Sequence, residues 1–156
     1  MTSRYPRLNL PPIKLKVRKG VDTESLQAWD SLRGCFLVLT PEEWVRQHFI
    51  NYLVNHHKVE ALQIIQEYAV DLNNQPQRAD IVVVDREQKA QILIECKAPE
   101  VRISQQTFAQ AVRYNSVVGA RYIFLTNGLT HHCFEHREEG YIQLKSFPEN
   151  LAQILQ

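Results

Sequence analysis

Cysteine is scarce in this 156-residue chain, and Cys35, Cys96 and Cys133 lie far apart without a CxxC pair, so neither a zinc site nor a disulfide framework is signalled. No apolar run reaches the length of a signal-peptide core or a membrane span, and the amino-terminal stretch is polar and proline-bearing. A cytoplasmic protein, neither exported nor membrane-spanning, is the expectation. Repeats, low-complexity tracts and a Walker A phosphate loop are also missing, so ATP-driven translocation is not expected of these residues. Net charge is only +1, so attraction to a polyanion has to come from local clustering. Residues 1–21 supply it: they hold Arg4, Arg7, Lys14, Lys16, Arg18 and Lys19, and the first carboxylate is Asp22. That asymmetry suits a phosphate-facing arm. It equally suits a half-buried strand with a solvated outer face, because Ile13, Leu15 and Val17 alternate with Lys14, Lys16 and Arg18.

With 44% hydrophobic and 22% charged residues, the composition is that of an ordinary globular protein, and the length suits one domain. Residues 1–25 read as the basic arm or an extra strand, 26–145 as the core and 146–156 as a terminal helix. Apolar runs at Leu26 to Trp29 and Cys35 to Leu39 flank a turn-rich link and predict a hairpin. Thr40, Pro41, Glu42 and Glu43 form a strong helix start, with Glu43 three residues after Thr40 as in a capping box. Trp44, Val45, Phe49, Tyr52 and Leu53 then recur at helical spacing, so a helix over 41–55 is predicted. A strand at about Leu62 to Val70 should precede the turn cluster Asn73-Asn74-Gln75-Pro76. Asp80 to Asp85 and Gln91 to Cys96 predict an antiparallel hairpin, and Pro99 ends its second strand. A helix over Gln105 to Val118 and a strand over Tyr122 to Thr126 suggest a right-handed parallel crossover. Edge strands at His131 to Glu135 and Tyr141 to Leu144 and a helix near Glu149 to Leu155 complete the reading.

Two strands that composition would bury nevertheless carry Asp80 at the start of one and Glu95 and Lys97 at the end of the other. Ionised carboxylates in an apolar sheet are costly unless paired or bound to metal. Alternation puts Glu95 and Lys97 on one face, and the antiparallel hairpin brings Asp80 beside them. Two carboxylates and an ammonium suit metal-assisted phosphodiester hydrolysis, with Mg²⁺ (or Mn²⁺) held by hard oxygens and a lysine to orient water or stabilise the transition state. The same spacing would also satisfy an interstrand salt bridge of Lys97 with Asp80 or Glu95. His56-His57 falls at a helix end and His131-His132-Cys133 on an alternating strand, so a shared metal is not expected there.

The strings Arg78-Ala79-Asp80-Ile81-Val82-Val83 and Ile94-Glu95-Cys96-Lys97-Ala98-Pro99 resemble the nuclease region at the amino terminus of type I restriction enzyme R subunits, within the PD-(D/E)xK superfamily. Thr40 to Gln47 resembles the first helix of that family and Thr126-Asn127-Gly128 the turn after its crossover strand. Gln110-Ala-Val-Arg-Tyr114 is similar to the QxxxY motif of several nucleases of the superfamily. The resemblance spans about residues 26–145. It implies an α/β, restriction-endonuclease-like fold: a mixed central sheet flanked by helices, here with an amino-terminal hairpin extension. It further implies that Asp80 and Glu95 are metal ligands, that Lys97 is the catalytic lysine, and that Glu43 reaches the metal through water unless it serves only as a cap. Gln110 and Tyr114 would face the site, with Tyr114 alternatively a core residue, and Glu67 and Arg78 would support it. Ala79-Asp80 replaces the family's Pro-Asp and keeps the ligand. The implied activity is Mg²⁺-dependent hydrolysis of DNA in restriction, defence or DNA processing, with other subunits of such systems as partners. A non-catalytic nucleic-acid-binding or assembly module that retains the fold is the alternative.

Overall fold

The computed structural model describes residues 4–22 and 24–156. Its first part is a small antiparallel sheet of β1 (Val17–Lys19), β2 (Leu26–Asp30) and β3 (Cys35–Val38), in that order. The expected hairpin is therefore joined by a third strand. That strand is shorter than the Ile13–Arg18 alternation suggested, and Val17 within it is exposed. The β2–β3 turn is set by Asp30, whose Oδ1 accepts the backbone N–H groups of Leu32 (3.0 Å) and Arg33 (2.9 Å), and by Gly34 at φ +66°.

Helix α1 (Pro41–Asn51) starts where the capping signal placed it, and a π-helical turn over Tyr52–His56 carries it on. Thr40 Oγ1 accepts the Glu43 N–H at 3.0 Å. The return half of the expected capping box is not made. The Thr40 N–H already donates to the Val38 carbonyl at 3.1 Å, and the Glu43 carboxylate turns to Arg46 and Gln47, where charge assistance favours it.

The main sheet follows the order β4 (Ile64–Leu72), β5 (Gln75–Val84), β6 (Ala90–Cys96), β7 (Tyr122–Thr126), β8 (His131–Arg137), β9 (Gly140–Leu144). Only β6 and β7 are parallel neighbours, joined through helix α2 (Gln105–Val118), and every other pair is antiparallel. The architecture is a mixed α/β one, consistent with a restriction-endonuclease-like fold. Two details depart from expectation. Residues 61–63 form a 3₁₀ turn, so β4 begins at Ile64, and the turn is only Asn73–Asn74, both at positive φ. Gln75 and Pro76 already belong to β5. Leu72 and Gln75 flank the two-residue turn as its hydrogen-bonded pair, so Pro76, opposite Asp71, falls where the ladder needs no N–H.

The central strands are dry on both faces. Val45, Phe49, Leu53, Ile81, Ile92, Ile94 and Phe124 pack on the α1 side, where the short helix α3 (Leu151–Ile154) contributes Leu151. Val82, Leu93, Ile123, Leu125 and Ala111 pack on the α2 side. Each large apolar side chain fully buried there contributes about 1.5–3 kcal/mol, which makes the sheet a rigid platform for whatever its end presents. Among the described residues no helix is long and apolar enough to cross a membrane.

Candidate active site

The site lies where β5 parts from β6. Their ladder runs from Val84↔Ala90, across an irregularity, to Ile81↔Ile94, and one step further Asp80 meets Glu95. Alternation along β5 breaks at this point: Ala79 and Ile81, two residues apart, pack in opposite layers. The same switch occurs on β4, where Ile65 and Val70 share a layer and Glu67 between them is at φ +51°. Glu67 faces Asp80 in register, between Gln66↔Ile81 and Tyr68↔Ala79. A non-glycine residue in that conformation costs of order 1–3 kcal/mol. The twist frees the backbone beyond Ile94 from its strand partner. The Cys96 N–H accordingly donates to Asp80 Oδ2 at 2.7 Å, and the Asp80 N–H donates to Glu95 Oε1 at 3.3 Å.

Glu95 is buried and Asp80 half-buried. Burial raises the proton affinity of both, and for Glu95 the neighbouring Asp80 charge raises it further. Without another cation the pair is therefore hard to ionise fully. Lys97 follows Glu95 on the same face, and its charge opposes both shifts. Among the described residues Lys97 forms no ion-pair contact with either carboxylate, so the interstrand salt bridge is not made. Its backbone N–H is pinned to the Thr126 carbonyl at 2.8 Å.

From α1, Glu43 is buried but committed: Arg46 Nε donates to its Oε2 at 2.8 Å and Gln47 Nε2 to its Oε1 at 2.9 Å. The carboxylate that shares a field with Asp80 and Lys97 is Glu42. Crowding by the protein and then the Asp80 charge lift its proton affinity, and Lys97 lowers it. Sequence reasoning passed over Glu42 as a helix-dipole residue. Its side chain is exposed, whereas Glu43, Val45 and Phe49 are buried. From α2, Gln110 and Tyr114 lie one turn apart, and Gln110 Nε2 donates to the Tyr114 hydroxyl at 3.1 Å. That hydroxyl reaches Gln77 Oε1 on β5 at 3.4 Å, a partner the sequence did not suggest. Burial raises the proton affinity of Tyr114, with Glu95 and Asp80 adding to it, so the ring sits within the field of the two carboxylates. Lys97, Gln110 and Arg113 line one groove of about 590 Å³.

Glu67 is the centre of three guanidinium groups, with Arg33 Nη1 and Arg78 Nη1 each at 3.7 Å and Arg46 Nη1 at 3.9 Å. Arg78 thus touches the site through Glu67. Behind them, buried Asp30 accepts Gln47 Nε2 (3.1 Å) and Gln66 Nε2 (3.0 Å), which ties the small sheet to α1 and β4. Neither Asp30 nor Arg33 stood out in the sequence, because their partners are 17 to 36 residues away. His131 is occupied structurally, with Nδ1 against Thr126 Oγ1 at 2.8 Å and Nε2 against the Asn9 carbonyl at 2.9 Å.

No group of three or more His, Cys, Asp and Glu side chains among the described residues is arranged to hold a metal ion. Two facing carboxylates are nevertheless a donor set that fits Mg²⁺, which keeps several waters and uses one or two protein carboxylates. A search of curated proteins finds no match. The family described as the type I restriction enzyme R protein N terminus matches residues 41–148, which takes in α1, all six strands of the main sheet and α2. The charged end of the β5–β6 hairpin and the helices on either side of it all fall inside that match, and on its extent the chain belongs to the type I restriction enzyme R protein N-terminus family.

Proposed function

We propose that the chain is a Mg²⁺-dependent nuclease of the PD-(D/E)xK type that hydrolyses phosphodiester bonds of DNA within a restriction or DNA-processing system. The observation that supports it most is the Asp80–Glu95 pair, two carboxylates brought together at the end of the hairpin, where burial and mutual repulsion disfavour full ionisation unless a cation joins them. Asp80 and Glu95 are the residues that would hold the ion, and from α1 Glu42, which feels the charge of Asp80, would act on it only through water. When bound, Mg²⁺ supplies charge neutralisation at the phosphate and lowers the pKa of water.

The chain's own groups account for the rest. Lys97, without an ion-pair partner among the described residues, lines the groove and would donate to a phosphate oxygen or to the attacking water. Gln110 and Gln77 hold the Tyr114 hydroxyl in place, so the tyrosine orients the backbone of a bound strand. Arg46 binds Glu43 and approaches Glu67, and so fixes α1 against the sheet. The test is incubation of the purified chain with plasmid and single-stranded DNA in Mg²⁺, Mn²⁺ or EDTA. Cleavage in the metal lanes alone is expected. DNA binding without cleavage in any lane would replace this reading with the non-catalytic binding module.

A further inference from the structure

The small sheet lies outside the matched family region, and its outer face is not accounted for by the reading above. Register and alternation put Lys16 and Arg18 beside Trp29 and Gln27, and these beside Phe36 and Val38, on one face. The opposite face carries Ala28 and Asp30, both buried, so the sheet docks onto the main body by that side. On the outer side Trp29 and Phe36 meet edge to face at 5.1 Å. Both rings are half-buried, and neither belongs to either hydrophobic core. Lys16 Nζ stands 5.6 Å from the Trp29 ring and 5.7 Å from Phe36, while the exposed Arg18 guanidinium lies 3.8 Å from the Phe36 centroid. Arg18 Nε is fixed by Gln27 Oε1 at 2.8 Å. Among the described residues the strands of this face place no carboxylate on it, and the segment leading into it carries no acid before Asp22.

We propose that this face binds single-stranded nucleic acid, with bases stacking on Trp29 and on the Arg18 plane that covers Phe36, and the backbone phosphates meeting Lys16 and Arg18. Aromatic rings interleaved with cations on an open sheet give sequence-tolerant stacking together with phosphate neutralisation. Duplex DNA keeps its bases stacked inside and has no use for the rings. Arg33, at the tip of the same sheet, approaches Glu67, which lies opposite Asp80 in register. The proposal rests on the reading of the chain as a nucleic-acid protein and is independent of hydrolysis.

The experiment uses the full chain carrying Lys97→Met in EDTA, so that loss of cleavage cannot affect the result. Anisotropy of a labelled oligothymidylate and of a duplex of equal length is measured, together with tryptophan emission. Oligothymidylate is expected to bind more tightly than the duplex and to quench emission, with quenching absent in Trp29→Phe, which retains Trp44. Trp29→Ala should weaken single-strand binding by roughly 5- to 150-fold, the range of one lost base stack. The surface variant Lys16→Gln/Arg18→Gln should lower the salt slope by about 1.4, the share of two phosphates on a single strand. Duplex preference, unquenched emission, or affinity unchanged in both variants overturns the proposal. Binding to anionic vesicles with equal loss in both variants would assign the face to a membrane surface and overturn it as well.

Discussion

Asp80 and Glu95 share more than a register position. The Asp80 N–H donates to Glu95 Oε1 at 3.3 Å, while the Asp80 carboxylate has taken the Cys96 N–H, at 2.7 Å, that an uninterrupted ladder would have used. Each strand therefore orients the other's carboxylate, and two carboxylates that repel when both are ionised face each other, with Lys97 making no ion-pair contact with either among the described residues. Such an arrangement stores repulsion. Asp80→Asn and Glu95→Gln should each abolish divalent-ion binding and DNA cleavage while leaving the protein as stable as wild type, or more so, in EDTA. Thermal melts with EDTA and with Mg²⁺ decide it. Variants several degrees less stable in EDTA, beside a wild type that gains nothing from the ion, would show the pair to be structural.

The same pair sets a pH dependence. Glu95 is pushed up to about 9 by burial and by Asp80, so the folded chain holds a proton that the unfolded chain releases near the ordinary glutamate value of 4.5. A raised folded value means stability is fully present below about 4.5 and is lost as pH rises toward 9. Melting temperature in EDTA should therefore fall across that window, and Glu95→Gln should flatten the slope. A wild-type slope unchanged by Glu95→Gln would remove the carboxylate as its source.

Lys97 is assigned to chemistry and not to metal binding. Lys97→Met should abolish cleavage yet leave Mg²⁺ affinity and DNA affinity within a few-fold. Turnover retained in the variant would take the lysine out of the mechanism.

Neighbouring glutamates on α1 should separate cleanly. Glu42→Gln removes charge from the field of Asp80 and should weaken Mg²⁺ binding without loss of fold. Glu43→Gln instead loosens a buried bond to Arg46 and should lower the melting temperature. Calorimetric Mg²⁺ titration and melts of both variants would show the reverse if Glu43 were the ligand.

Asp30 accepts hydrogen bonds from two backbone amides and two glutamine side chains while almost wholly buried. Asp30→Ala strands these donors and Arg33 together, a loss of about 3–5 kcal/mol for a broken buried network. Denaturant unfolding measures it. A change below about 1 kcal/mol, the worth of one ordinary hydrogen bond, would mean that the small sheet is held by packing instead.

Most of the strand and helix order was legible because the signals are local. Thr40 and Pro41 start α1, the β-branched run through Val84 makes a strand, and Glu95 and Lys97 share a face by period-two geometry alone. Even Asp80 meeting Glu95 follows from a hairpin read off the sequence. What periodicity could not show is its own failure: at Glu67 and Asp80 both strands change faces, and only their pairing across the sheet holds that twist in place. Whether Glu43 reaches a metal through water or serves only as a cap was likewise open in the sequence, and what its carboxylate bonds depends on where Arg46 and Gln47 stand. Pro76 looked like a turn residue and proved a strand residue because its partner Asp71 asks for no N–H. The identities of the charged groups are thus a property of the chain, set by composition and spacing. Which of them stand unpaired at one end of the sheet belongs to the tertiary structure, because an ion pair or a hydrogen bond depends on a few ångströms between residues that the sequence keeps tens of positions apart.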